Sequence, residues 1–469
     1  MKQFITDDFL LKNEIAKKLY NDYAKNLPII DYHCHIDAKE IAEDKRFKNI
    51  TELWLGGDHY KWRYMRAAGV DEKYITGDAS DKEKFIKWIE VLSSAIGNPL
   101  YHWSHMELKK YFGFEGYVKK ENAEELWELC NKVIDSDDFS ARNIITKSNV
   151  SLLCTTDDPV DSLEYHDMIK DDKSFKCFVL PAFRPDNALS IEKPKFVDYI
   201  NRLSEVSGIK INSLDTLKEA LFSRIEYFKE KGCVLSDHGL LDIPFNPISD
   251  SEANTLFKKR LNGIMLTGEE VEKYQTSVLL FLHAKYKEVG FVSQLHYGCK
   301  RDNNTAMFEK IGPNTGFDCI SSVTSGNKLA DLLNLLNSND SLGKMIVYSL
   351  NPNDNDIIDT VISCFQTGEV QNKIQHGSAW WFNDNKTGME KHLNSLANNT
   401  NLSGFVGMLT DSRSFVSYTR HDYFRRILCN YLGSLVENGE FPEDYEILGD
   451  IVKKISYKNA ALYFGFQSA

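Results

Sequence analysis

Eight short apolar runs rich in β-branched residues recur along the chain, with helical stretches between most of them. The runs are 29–35 (IIDYHCH), 150–156 (VSLLCTT), 177–183 (CFVLPAF), 232–238 (GCVLSDH), 291–297 (FVSQLHY), 345–350 (MIVYSL), 373–377 (KIQHG) and 404–411 (GFVGMLTD). Most are apolar at consecutive positions, as strands covered on both faces are. Strand alternating with helix implies parallel pairing through right-handed crossovers, and eight such units favour a closed barrel over an open doubly wound sheet. The pattern predicts an α/β chain folded as a distorted (β/α)8 TIM barrel with a helical insertion after the first strand. At 469 residues the chain is long for one ordinary domain, yet it fits one such barrel with insertions.

Between the runs, residues 214–231 set Leu214, Leu217, Leu221, Ile225 and Phe228 on one helical stripe, and Gly232 stands where a helix ends. Two stretches are too long to be simple crossovers. Residues 40–149 read as a helical insertion subdomain, in which Phe85, Trp88 or Ile89, Leu92 and Ile96 form a stripe closed by Gly97 and Pro99. Residues 239–290 read as a second, smaller insertion, and helical patterns at 421–435 and 445–464 finish the chain. With no internal repeat or flexible linker, residues 1–469 read as a single barrel domain.

Charge and cysteines exclude some classes of partner. A formal net charge of −12 without a dense Lys/Arg stripe repels phosphate backbones, so no nucleic-acid partner is expected. A small anionic substrate then needs a few local arginines. The start, MKQFITDDFLLKNE, does not read as a secretory signal, and no run is long enough to span a bilayer, so no membrane partner is expected. The nine cysteines are scattered and odd in number, without a CxxC pair, and Cys154, Cys177 and Cys233 lie in apolar strand-like runs. Reduced core thiols and a cytoplasmic setting follow. The oligomeric state stays open, a homo-oligomer included.

The sharpest chemical signal is His33-Cys34-His35 at the end of the first run. Residues i and i+2 of a strand face one side, so both imidazoles turn the same way, and at the C-terminal mouth of a barrel that side is the active-site cavity. Two convergent imidazoles are half of a divalent-metal site, zinc being the usual choice. Asp411 ends the last run, where barrel closure returns it to the first strand, and it completes a three-ligand site with an open position. Its competing role is to cap the helix that follows. His238 (LSDHG) and His296 (QLHYG) end two further runs and are placed at the same mouth, with their roles open. No run ends in a lysine that could bridge two metals as a carbamate, which favours a mononuclear site.

Arg184 follows the third run in AFRPD, and Arg413 lies two residues beyond Asp411. A guanidinium holds a carboxylate through two parallel hydrogen bonds. Arg260, in the charged helical stretch LFKKRLNG, represents the default of surface solvation. In GGDHYKWRYMRAAGV, Gly56-Gly57 permits close backbone approach, and His59 and Tyr60 are placed to meet a sugar hydroxyl.

Together these residues resemble the amidohydrolase superfamily and, within it, the uronate isomerases (glucuronate isomerase). The similar stretches are PIIDYHCH, GGDHYKWRYMRAAGV, NPLYHWSHMEL, FRPD, LSDHG, QLHYG with GPNTGFD, GMLTDSRSFVSYTRHDYFRRILC and ISYKNAALYFG. They run from about residue 28 to the C-terminus; the stretch 239–290 looks longer than the shortest members require. The resemblance implies interconversion of D-glucuronate with D-fructuronate and of D-galacturonate with D-tagaturonate. It places one divalent ion, zinc or similar, on His33, His35 and Asp411, and substrate contacts on His59, Tyr60, Arg184 and Arg413. The expected chemistry is proton transfer between C2 and C1. Asp411 is the base, Arg413 and Tyr60 stabilise the developing oxyanion, and Arg184 faces the distal carboxylate. A metal-dependent hydrolase on the same barrel and a catalytically silent sugar-binding barrel are the alternatives, and a ketose assay on glucuronate separates them.

Overall fold

The computed structural model describes residues 4–466. Its strands are β1 (Ile29–Asp31), β2 (Val150–Cys154), β3 (Phe178–Leu180), β4 (Leu235–Gly239), β5 (Val292–Tyr297), β6 (Cys299–Lys300), β7 (Cys319–Ile320), β8 (Met345–Ser349) and β9 (Ile374–His376). Two parallel sheets, β1-β2-β3 and β4-β5-β8-β9, form the wall of the barrel. Phe183 stitches them together: its amide donates to Leu235 O (3.2 Å), and its carbonyl accepts from Asp237 N (3.0 Å). Seven of the eight apolar runs thus hold the wall strands. The antiparallel pair β6-β7 and the residues between form an excursion after β5 that the periodicity did not reveal.

The eighth run, 404–411, makes no strand. It runs between β9 and β1 with two of its amides held by side chains: Val406 N by Gln375 Oε1 (3.0 Å) and Thr410 N by Asp31 Oδ1 (2.8 Å). Gly407 explains part of this. It sits at φ +83, and a Cβ there would lie 2.1 Å from the carbonyl oxygen of Ile455. Closure occurs at the rim, where Asp411 N donates to His33 O (3.1 Å) and His35 N to Ser412 O (2.9 Å). The architecture is a distorted (β/α)8 barrel.

Helices fill the chain between β1 and β2, from Ala38–Ala42 to Ala141–Lys147. Asp81–Leu92 begins at a reciprocal Ser80/Glu83 cap and buries Phe85, Trp88, Ile89 and Leu92. It stops at Leu92, so Ile96 lies outside the expected stripe and is 96% exposed. Pro99 opens the next helix instead of closing this one, because its fixed φ suits a first helical position. Leu214–Glu230 buries all five expected stripe residues. Between β4 and β5 lie Asp250–Leu261 and the crossover helix Gly268–Val289. Arg260 is not surface-solvated: it is buried, and its Nε donates to Ile191 O (2.9 Å). Cys154, Cys177 and Cys233 are buried free thiols, as expected. No helix among the described residues is long and apolar enough to cross a membrane.

Candidate active site

The strand alternation of β1 persists past its last ladder residue. Cys34 turns into the core, with Sγ 3.3 Å from Cys154 O, while His33 and His35 turn into the mouth. Asp411 Oδ1 lies 3.2 Å from His33 Nε2 and 3.2 Å from His35 Nε2. The backbone of Asp411 is at φ +49, a left-handed conformation that Asp tolerates better than most residues, anchored by its bond to His33 O. Burial pushes the Asp411 carboxyl upward, but the two imidazoles outweigh it and hold it well below the usual carboxylate range. Burial drives His35 down to about 4, so its ring is neutral near neutral pH and able to ligate.

The three ligand atoms suit a metal ion. Ligand bonds of about 2.0–2.1 Å in a tetrahedron set neighbouring donors about 3.3 Å apart, close to the two spacings found here. His35 and Asp411 are partly exposed, leaving an open side toward the cavity. A second convergence, His33 with Asp237 and His296, lies behind the first.

Asp237 is the first of three residues that sequence reasoning missed. It is fully buried on β4, with Oδ1 2.6 Å from His296 Nδ1 and Oδ2 2.9 Å from Arg184 NH1. Burial raises its pKa, but Arg184, His33 and His296 together hold it far below the carboxylate range. His238 was expected at the mouth, and the structure corrects this. The β4–β5 register pairs Gly239 with His296 and His238 with the core residue Leu295, so His238 shares the outward face. Its Nε2 lies 3.1 Å from Tyr286 Oη on the crossover helix. The run GCVLSDH is apolar on both faces, so nothing in it distinguishes inward from outward positions. His296 does face the mouth, stacked on Tyr348 with ring centroids 4.1 Å apart.

Arg184 lines the cavity with its guanidinium fixed: Nε donates to Asp186 Oδ2 (2.7 Å) and NH1 pairs with Asp237. Gly239 makes the room, since a Cβ there would lie 2.1 Å from Arg184 NH2. Arg413 is exposed and takes no protein partner among the described residues. His59 stacks on Tyr60 at 5.2 Å and meets the edge of Trp381 at 5.1 Å. Burial lowers the pKa of His59, which keeps it neutral.

Tyr60 Oη donates to Asp384 Oδ2 (3.0 Å), a carboxylate that Arg420 NH1 also approaches at 3.4 Å. Burial pushes Asp384 up to about 7 against the pull of Arg420. Asp384 and Arg420 were not foreseen. Each follows an aromatic-rich stretch, WWFND and SYTR, that carries no metal-like or strand-end pattern. Two adjoining cavities of about 300 and 290 Å³ meet at His35, His59, Asp411 and Arg413. One reaches Tyr60; the other reaches Arg184 and His296.

Comparisons with known proteins agree along the whole chain. A family profile described as Glucuronate isomerase matches residues 1–464. The uronate isomerase of Endomicrobium trichonymphae is 56% identical over 467 residues, covering 100% of both chains. That of Lachnospira eligens is 55% identical over 466 residues, covering 99% of this chain and 100% of its own. Among solved structures, the uronate isomerase of Thermotoga maritima superposes with a TM-score of 0.93 at 35% identity, covering 99% of this chain and 100% of its own. The glucuronate isomerase of Caulobacter crescentus gives 0.91 at 24% identity, over 99% and 98%, and bears on the fold alone.

Proposed function

The chain belongs to the glucuronate isomerase family and is a uronate isomerase, and from that premise we propose that it interconverts D-glucuronate with D-fructuronate and D-galacturonate with D-tagaturonate at the mouth of the barrel. The observation that supports this reading is the convergence of His33, His35 and Asp411 beside Arg184 and Arg413 in one pair of adjoining cavities.

Moving a carbonyl between C1 and C2 requires a proton to leave C2, a proton to arrive at C1, and negative charge to be carried on oxygen in between. Asp411 is the base assigned to that proton: its carboxylate is ionised and turned into the cavity. Arg413, with no protein partner to satisfy, stabilises the developing oxyanion, helped by the Tyr60 hydroxyl. Arg184 faces the distal carboxylate of the hexuronate. Its amino group toward Gly239 is the one not committed to Asp186 or Asp237. His59 and His296 complete the substrate walls; His238, turned to the crossover helix, is not among the contacts. His33, His35 and Asp411 would hold one divalent ion, zinc by its donor set, which when bound supplies Lewis acidity to substrate oxygens.

Incubation with D-glucuronate tests the reading, with a neutral hexose as control. Ketose should accumulate from the uronate and hardly at all from the hexose. A protein replete in metal that forms no ketose from either uronate would sink the proposal.

A further inference from the structure

At the opposite end of the barrel from the catalytic mouth, where β1 and β2 begin, lies a larger cavity of about 670 Å³. It is walled by the helices Pro99–Phe112 and Thr419–Glu437 and by the N-terminal segment. Six cations line it: Lys25, Lys109, Lys110, Lys147, Arg425 and Arg426. Only two carboxylates do, Asp7 and Asp422, and both are engaged. Asp422 Oδ2 accepts from Arg426 Nε (2.9 Å), and Asp7 Oδ1 lies 3.3 Å from Lys109 Nζ.

Among the described residues, none of the other four cations forms an ion pair with a carboxylate, although the charge of Asp422 is felt at Lys110 and Arg425 and that of Asp7 at Lys25. Arg425 donates only to carbonyls, those of Leu27 (2.8 Å), Pro28 (2.6 Å) and Ser456 (3.2 Å). Lys147 Nζ donates to the carbonyl of Asp138 (2.9 Å). The side chains of Lys25 and Lys110 make no hydrogen bond or ion pair among the described residues, and the Lys110 ammonium lies 5.6 Å from the Tyr111 ring. In a chain of net charge −12, such a concentration of unmatched positive charge in one concavity runs against the global field. Lys25, Lys110 and Lys147 are solvent-exposed, so water and salt screen part of their repulsion, and an anion bound among them relieves it more fully. Desolvation beside the Tyr111 ring lowers the pKa of the Lys110 ammonium, while the charge of Asp422 opposes that shift and the charge of Arg425 adds to it.

We propose that this basal cavity binds a small polyanion, a phosphate ester or polycarboxylate carrying at least two negative charges, independently of the catalytic mouth. The spread of the charge supports a multivalent ligand: Lys25 lies on the N-terminal segment and Lys110 on the helix Pro99–Phe112, while Arg425 comes from the helix Thr419–Glu437. A monoanion such as a hexuronate would match only part of that charge.

Fructose 1,6-bisphosphate and tricarballylate, both weak chelators, are suitable probes, measured by calorimetry and thermal shift on the metal-replete protein. Sodium chloride at equal ionic strength is the control. Both probes should bind saturably and raise Tm beyond the salt control, and the tighter of the two identifies the ligand as phosphate ester or polycarboxylate. The double variant Lys25→Gln/Lys110→Gln should weaken binding about tenfold or more, since charge-assisted contacts are the strong ones. Without ligand it should melt close to wild type, because neither side chain makes a hydrogen bond or ion pair among the described residues. Arg413→Met should leave binding of both probes unchanged, which separates this cavity from the mouth. Stabilisation no greater than that of salt would overturn the proposal. So would equal affinity in the double variant, or loss of binding in Arg413→Met.

Discussion

Asp411 faces two imidazoles with one oxygen, and the consequences of that geometry can be separated by substitution. Asp411→Asn keeps the shape and can still coordinate weakly, but it cannot accept a proton. Metal content should fall modestly while turnover falls by several powers of ten, since general-base catalysis alone contributes about 10²–10⁴-fold. Exchange of the C2 proton with deuterated solvent should vanish in parallel; if it persisted, the base would lie elsewhere, with His35 or Tyr60 next in line. The two arginines divide in a similar way. Arg184 is clamped by Asp186 and Asp237, whereas Arg413 is free. Arg184→Met should therefore raise KM for uronates and leave the poor turnover of a neutral hexose nearly unchanged. Arg413→Met should lower kcat on both, as loss of a contact made only in the transition state does. Equal losses from Arg184→Met on uronate and hexose would make Arg184 structural.

Elements rather than single residues determine which of these groups meet. The parallel register that pairs Gly239 with His296 turns Asp237 inward and His238 outward. The presence of β4 was legible in GCVLSDH; its parity was not, because both faces are covered and the alternation that marks a half-buried strand is missing. His33, His35 and Asp411 were legible because HxH carries its own parity and barrel closure fixes where the last run must end. GFVGMLTD read as a strand because its residues are apolar and extended. Gly407 and the side-chain acceptors Gln375 and Asp31 keep it out of the ladder, and those partners are distant in sequence. Asp384 and Arg420 reach Tyr60 only through tertiary packing. Gly239 offers a test at this scale. It does not need a left-handed backbone, so Gly239→Ala strains nothing locally, yet its methyl would collide with the tip of Arg184. The flexible side chain should yield, costing stability no more than about 1–3 kcal/mol, while KM for uronates rises as in Arg184→Met. Unchanged KM would show that Arg184 does not reach the substrate.

At the scale of the whole molecule, burial of titratable groups sets how stability follows pH. Burial drives down nine histidines outside the metal triad, and five of them furthest: His105, His166 and His238 to about 4, and His283 and His392 to about 3. In the unfolded chain they titrate near about 6.5. Between about pH 4 and 6.5 the unfolded state thus binds protons that the folded state refuses, and stability rises with pH. Three buried carboxyls act in the opposite sense. Burial raises Glu107, Asp157 and Asp384 to about 7, so the folded state holds their protons after the unfolded chain has released them near about pH 4. Their contribution is complete at low pH and is lost as pH rises through about 7. Below about 6.5 the five histidines outweigh the three carboxyls; above it, of these eight groups, only the carboxyls still titrate. Tm should therefore peak near about pH 6.5 and decline on both sides. Glu107 tests the alkaline limb, because its side chain is buried and Oε2 has no hydrogen-bond partner among the described residues. Glu107→Gln removes the ionisation while keeping the shape. It should leave Tm near wild type at pH 5 and raise it at pH 8, by an amount on the order of 3 kcal/mol in stability. A Tm profile for Glu107→Gln parallel to wild type from pH 5 to 8 would mean that the Glu107 carboxyl ionises in the folded protein as easily as in the unfolded chain.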